Sequence, residues 1–278
     1  MRISCWLFCI ISALIVNNIS FAGSFVHRCA DLSILKKNIL EKIIEIESYQ
    51  LDTKVEIDGN VVSAKILGQI PNWLRVEQKL QYGSEQLLTK VVFDGKSQWV
   101  ESKTSNQVQV LKINLPDLVT EERPFDTGYY SMGTGLIHGE DFPSTIKILL
   151  SLYDFSADCQ PAKIVLEGYL NLKKFEEYVL KRKFQKSNVQ FKEKFKKDFD
   201  FAKITFGYPN YLIQSYSLGE SSANETITVT FTNIRINLIN IENEFEYKVP
   251  KGIDPVDITD DIKKYCLTID KQSVEKHQ

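Results

Sequence analysis

Lys54-Val55-Glu56-Ile57-Asp58-Gly59-Asn60-Val61 opens the part of the chain that decides the fold, a series of short segments filling residues 49–113. Apolar and charged residues alternate over 54–58, Gly59-Asn60 supplies a two-residue turn signal, and 61–70 resumes an extended pattern. Pro71-Asn72-Trp73-Leu74-Arg75-Val76-Glu77 comes next, then 87–93, the pair Asp94-Gly95, 97–101 and 107–113. Side chains on a strand point to alternate faces, so this patterning, broken by Asp-Gly and Gly-Asn pairs, predicts an antiparallel meander with one buried face. Such a face needs a cover.

Helical patterns flank the meander. Over 31–48, Leu32, Leu35, Ile39, Ile43 and Ile46 fall on one stripe, with most charges away from it, which predicts an amphipathic helix packed on the sheet. Ser144, with Pro143 before it, is expected to cap a short helix so apolar, through Leu149, Leu150 and Tyr153, that it must be buried. Residues 157–161 break it and 163–169 read as a strand. Between meander and helix, 115–141 is long and glycine-rich, and reads either as a flap over the sheet or as an ordinary surface loop. Its Gly133-Thr134-Gly135 is no phosphate loop, for it lacks a preceding strand and a lysine in register.

Residues 171–200 shift in composition, with lysine and arginine exceeding acids and Phe175, Phe184, Phe191, Phe195 and Phe199 interleaved. A helix beginning near Leu172 is expected, then a charged segment that either rests on an anionic membrane surface or is a solvated insertion docked by its phenylalanines. Strand patterns return at 201–206, 211–218, 226–231, 234–238 and 245–250, with turn residues Gly207-Tyr208-Pro209-Asn210 between the first two. No internal repeat divides the chain, so residues 23–278 are expected to form one domain.

Global properties exclude more than they assign. A net charge of -2 over 278 residues argues against nucleic acid. Arg2, an apolar run over 6–16 and the small residues of Ser20-Phe21-Ala22 predict a secretory signal peptide over 1–22, cleaved after Ala22, and hence export. That run is shorter than the ~20 residues a membrane span needs. Cys29, Cys159 and Cys266 would remain, and one disulfide with one leftover thiol is expected, in any of three pairings. Histidines occur only at 27, 138 and 277, and no metal cluster, catalytic triad or phosphate loop accompanies them, so neither an enzyme nor a cofactor or metal site is expected. Asn224-Glu225-Thr226 matches a glycosylation sequon, relevant only in a eukaryotic secretory pathway.

Several stretches together resemble the outer-membrane lipoprotein carrier (LolA-like) superfamily. They are the Ser48-Tyr49 start of the sheet, Pro71-Asn72-Trp73-Leu74-Arg75-Val76-Glu77, the hairpin Asp94-Gly95-Lys96-Ser97-Gln98-Trp99, Phe231-Thr232-Asn233-Ile234, and the ending Phe245-Glu246-Tyr247-Lys248-Val249-Pro250-Lys251-Gly252-Ile253. The resemblance implies an α+β fold: a strongly curved antiparallel sheet, or incomplete β-barrel, with helices covering the concave face. It also implies a periplasmic, monomeric carrier whose apolar hollow holds the acyl chains of a lipid or acylated lipoprotein. Relatives that act as envelope sensors, binding a membrane-protein partner, supply the alternative. Two departures stand against a literal transfer of role. Ile70 replaces the arginine that ties lid to sheet in the proteobacterial carrier, and 171–200 looks added.

If Arg75 and Glu77 face solvent, the period-2 rule turns Leu74 and Val76 toward the hollow, with Ile70 in phase. The same rule nominates Val55, Ile57, Val108, Val110, Ile227, Val229 and Phe231, and the lid contributes Leu149, Leu150 and Tyr153. Each is equally a core residue in any sheet covered by helices. Trp73 and Arg75 fall on the other face, where a cation–π contact is expected.

Overall fold

The computed structural model describes residues 31–57, 59–71, 73–82, 85–105, 107–114, 134–137, 140–181, 196–221, 226–262 and 264. The proposed signal peptide, Cys29, Cys266, the sequon asparagine, most of 115–141 and residues 182–195 lie outside this set. Six strands follow helix α1 (Leu32–Ile44): β1 (Ser48–Ile57), β2 (Asn60–Gln69), β3 (Trp73–Tyr82), β4 (Glu85–Asp94), β5 (Ser97–Lys103) and β6 (Val108–Asn114). Then come α2 (Phe142–Leu152), β7 (Tyr153–Gln160), β8 (Lys163–Leu170), α3 (Leu172–Lys181), β9 (Phe201–Gly207), β10 (Ile213–Gly219), β11 (Thr226–Ile236), a 3-10 turn (Glu242–Phe245) and the two-residue β12 (Val256–Asp257).

One sheet holds all twelve strands in the order β12-β6-β5-β4-β3-β2-β1-β11-β10-β9-β8-β7. Every pairing is antiparallel except β12 on β6, and β7 and β12 are its two ends. This is an α+β incomplete barrel, as the resemblance implied.

The helices share one face of it. Asp31 caps α1 by accepting from the Ser33 amide at 2.8 Å, and its buried stripe is Leu35, Ile39 and Ile43. Asp141, not Ser144, caps α2: its carboxylate accepts the Ser144 N–H at 2.6 Å, which puts Pro143 inside the first turn, where its missing donor is harmless. Phe142 then lies 5.3 Å from Tyr49 and 5.5 Å from Phe231, ring to ring, fixing α2 to β1 and β11. In α3, Phe175 and Val179 are buried while Leu172 stays exposed, so the opening of the 171–200 region docks on the domain.

Three segments differ from expectation. Residues 153–160 form a strand rather than a helix end and a break, because Tyr153, Phe155 and Ala157 alternate inward with Asp154, Ser156 and Asp158 outward. The patterns at 226–231 and 234–238 are one strand, β11, bent at Asn233. Asn233 takes φ 53°, the register against β1 shifts between Gln50 and Asp52, and the Asn233 amide donates to Asp52 at 2.6 Å. The closing strand over 245–250 is absent; the chain instead makes the 3-10 turn and then straps the outer face of β3 to β6.

That strap explains the aromatic residues on the solvent side. Trp73 packs edge-on against Phe245 at 5.4 Å, while Arg75 goes to Glu77 (2.7 Å) and to the Glu244 carbonyl (3.1 Å). The Trp73–Arg75 cation–π contact is therefore not made. Tyr247 stacks on Trp99 at 5.1 Å and donates to Glu101 at 2.9 Å. Burial first, and this hydrogen bond second, push the Tyr247 phenol above its ordinary pKa. Beyond it β12 pairs with Leu111 and Lys112, and the Thr259 hydroxyl accepts from the Asn114 amide at 2.9 Å.

Phe245, 1% exposed, anchors the strap, and Phe245→Ala is expected to cost about 3–5 kcal/mol in urea unfolding, as for other buried phenylalanines. Asp257 accepts from the Thr259 hydroxyl and amide and from Asn114, with the hydroxyl the largest influence, and these hold its carboxyl below the ordinary carboxylate pKa. A depressed folded pKa contributes stability that is complete above the unfolded value of about 3.9 and is lost as pH falls through the folded one. Hydrogen exchange at the Asn114 and Ile258 amides should thus quicken over that acid range in the wild type and lose the pH step in Asp257→Asn.

Candidate functional site

Cross-strand partners share a face, so the register sorts every candidate residue. On the helix-bearing inner face one row runs Tyr216–Val229–Val55–Val62–Leu80–Leu87 across six strands. It grades from buried at Tyr216, Val229 and Val55 to half-buried at Val62, Leu80 and Leu87. Ile57, 37% exposed, and the half-buried Leu218–Ile227 pair extend it toward the ends of the β1–β2 and β10–β11 hairpins. Another inner row, Leu51–Ile66–Val76–Val91–Val100, is buried throughout, and Leu111 ends it half-buried.

Between these two rows lies a third of different chemistry. It runs Thr53–Ala64–Gln78–Thr89–Ser102–Gln109 and is polar at all but Ala64. Thr53 and Gln78 are buried, Thr89 and Ser102 half-buried and Gln109 exposed. The Thr53 hydroxyl is buried without a hydrogen-bond partner among the described residues.

The nominated residues divide accordingly. Val55, Val76, Val229, Phe231, Leu149, Leu150 and Tyr153 are buried together in the core, with Leu74 and Ile227 partly buried against it. Ile57 is on the inner face at the rim. Tyr153 is not a lid residue: it begins β7, opposite Leu170, and its hydroxyl donates to the Phe199 carbonyl at 3.0 Å. Val108 and Val110 are on the wrong side of the sheet. Val110 pairs with Glu101, Glu101 with Lys90 and Lys90 with Glu77, which is the outer face. Strand β6 carries apolar residues on both faces because the strap covers the outer one, with Tyr247 against Lys90 and Glu101, and only Lys112 marks Val108 and Val110 as the outward set. Leu111 and Ile113 are the inward pair.

Ile70 lies just past β2, outside the wall, 37% exposed, with its amide donating to the Glu47 carbonyl at 2.9 Å. It borders a cleft of about 460 Å³ with Ile43, Ile46, Gln69, Lys147 and Ile241. Among the described residues no arginine lines it. Val62, Leu80, Leu87 and Leu218 were missed, although counting by twos from Val76 reaches Leu80 through Gln78.

Part of the flap region is seated on the wall. Tyr216 donates to the Gly135 carbonyl at 2.5 Å, and Thr134 and Leu136 are buried. Gly135 has φ 73°, and a Cβ there would strike Val229, so only glycine fits both the backbone and the contact. Burial raises the Tyr216 phenol above its ordinary pKa, which keeps it a neutral donor. Cys159 is disulfide-bonded, and none of the other cysteines falls within the described residues. Among those residues no group of His, Cys, Asp or Glu is placed to hold a metal, and no helix is long and apolar enough to cross a membrane.

No protein-family model and no curated protein matches the chain. Among solved structures it is similar to an uncharacterised conserved protein from Thermus thermophilus, at 12% identity over 80% of this chain and 99% of that one, with a TM-score of 0.42. It is similar to the Pseudomonas aeruginosa MucA/MucB complex structure at 13% identity, 79% and 62% coverage and a TM-score of 0.37. It is similar also to a LolA superfamily protein from Nitrosomonas europaea at 11% identity, 76% and 97% coverage and a TM-score of 0.27. The chain spans 60% to 64% of the MucB-containing structures it matches, less than two thirds of their length.

The burial gradient along the open row is directly checkable. A cysteine placed at Leu80 or Leu87 is expected to react with a water-soluble maleimide above the background of the native thiols, and one placed at Val76 to stay unlabelled until the protein is unfolded.

Proposed function

We propose that this chain is an exported, monomeric lipid-binding protein of the LolA-like kind, which holds acyl chains of a lipid or acylated lipoprotein against the inner face of its half-barrel. Residues 1–22 direct it to the periplasm and are removed after Ala22. Binding and release, not catalysis, are its work.

The observation that supports this most is the inner row Val62–Leu80–Leu87, with Ile57 and Ile227 beside it, where the helices leave an apolar wall incompletely covered. An acyl chain laid there gains ~0.8 kcal/mol for each CH₂ removed from water, before ordering costs. Dehydration and dispersion are indifferent to the exact pose, so one wall can accept chains of different length and still give them up.

A second reading, docking of a membrane-protein partner, has its own support. Ile44 and Ile70, 66% and 37% exposed, line the cleft between α1 and the end of β2. Mass spectrometry of organic extracts from protein purified without detergent separates the two. Stoichiometric phospholipid or acylated peptide is expected, and Leu80→Glu should reduce it at least tenfold while leaving Ile44→Asp protein loaded. A lipid-free wild type would sink the carrier reading.

A further inference from the structure

A wall built only to hold hydrocarbon has no use for a polar stripe, yet Thr53, Gln78, Thr89, Ser102 and Gln109 stand in register across β1, β3, β4, β5 and β6 on the inner face. The stripe lies between the apolar row through Val55, Val62, Leu80 and Leu87 and the one through Leu51, Ile66, Val76 and Val91. Each is one side-chain repeat away, roughly 7 Å along the strands. It holds hydroxyls and amides and no charge, so it suits a neutral polar group rather than a phosphate or an ammonium. Its burial deepens steadily from Gln109 at the β6 side to Thr53 at β1.

The second observation is the Thr53 hydroxyl, 3% exposed and unpartnered among the described residues. A buried donor without an acceptor is costly to keep, and a serviceable alternative of the same shape, valine, exists.

We infer that this stripe receives the ester carbonyls of a glyceride. The Thr89 and Ser102 hydroxyls, on neighbouring strands at the half-buried end of the stripe, donate to carbonyl oxygen, and the acyl chain then runs along the flanking apolar row. The inference rests on the carrier reading and narrows it: the guest is chosen by its acyl–glycerol linkage, and a charged headgroup, where there is one, stays outside the stripe.

The test compares two soluble probes of equal chain length, 1-dodecanoylglycerol and its ether analogue 1-O-dodecylglycerol, by calorimetric titration of the purified full chain. The wild type is expected to bind the ester about fivefold more tightly, the size of one net hydrogen bond. Thr89→Val, at a half-buried position, and the double variant Thr89→Val/Ser102→Ala should bring the ratio of ester to ether affinity toward one. Thr→Val keeps shape, and a melting curve for each variant confirms the fold. Equal binding of both probes by the wild type, or a preference that survives both variants, overturns the carbonyl site and leaves the carrier reading intact. Failure to bind either probe overturns both.

Discussion

Tyr49 joins the two layers of this protein. Its ring lies against Gly68 on the neighbouring strand so closely that a Cβ there would overlap it. Its hydroxyl accepts the Phe142 amide at 3.3 Å, and its ring meets the Phe142 ring. The contact continues through Phe231 to Tyr216, which holds residue 135 on the wall. One aromatic chain thus orients α2, the end of the flap region and three neighbouring strands. Everything that decides which part of the inner face is covered depends on it, because each coupled ring pair contributes about 0.5–1.5 kcal/mol beyond its buried area and fixes an angle as well.

The two faces of the sheet are covered by different means. Inside, α1, α2 and α3 bury the wall nearest β1 and β7 to β11 and leave the β2 to β4 end of one row thinly covered. Outside, the strap seals β3 to β6 with Phe245 and Tyr247, while Arg75 and Lys90 sit over or beside those groups. Strands such as β6 are therefore apolar on both sides without being central in the sheet. The strap's polar contacts, Glu101 with Tyr247 and Asn114 with Thr259 and Asp257, set its register where apolar packing alone would let it slide.

How much of this was legible in the chain follows from the same physics. The meander was readable because Asp94-Gly95 and the Gly59 turn mark its hairpins, although Asn60 already belongs to β2, opposite Ile57. Gly95 takes φ 81°, and Asp94 accepts from the Lys96 and Ser97 amides, so that turn is written in two residues. The inward phase of β1, β3 and β11 was equally clear, since charge marks the other face. It failed at β6, where Val108 and Val110 outweigh the single charge in their phase, Lys112, which marks that side as the outer one. It failed again at Tyr153, where a helix passes into a strand without glycine or proline between. The polar row was hidden for another reason: Thr53, Gln78 and Thr89 are far apart in sequence, and only register makes them neighbours.

The order in which the wall is made and covered has a consequence for folding. Strands β1 to β6 emerge first, but β1 waits for β11, and the Ser48 hydroxyl waits for the Leu238 carbonyl, 190 residues later. The outer side of β3 to β6 waits longer still, for residues 242–259. Through that interval Val92, Trp99 and Val110 face water on a growing ribbon, a surface on which other unfolded chains can stack. A chain of this design therefore keeps an adhesive ribbon open until its last hundred residues are in place, and completing the sheet late is what closes it.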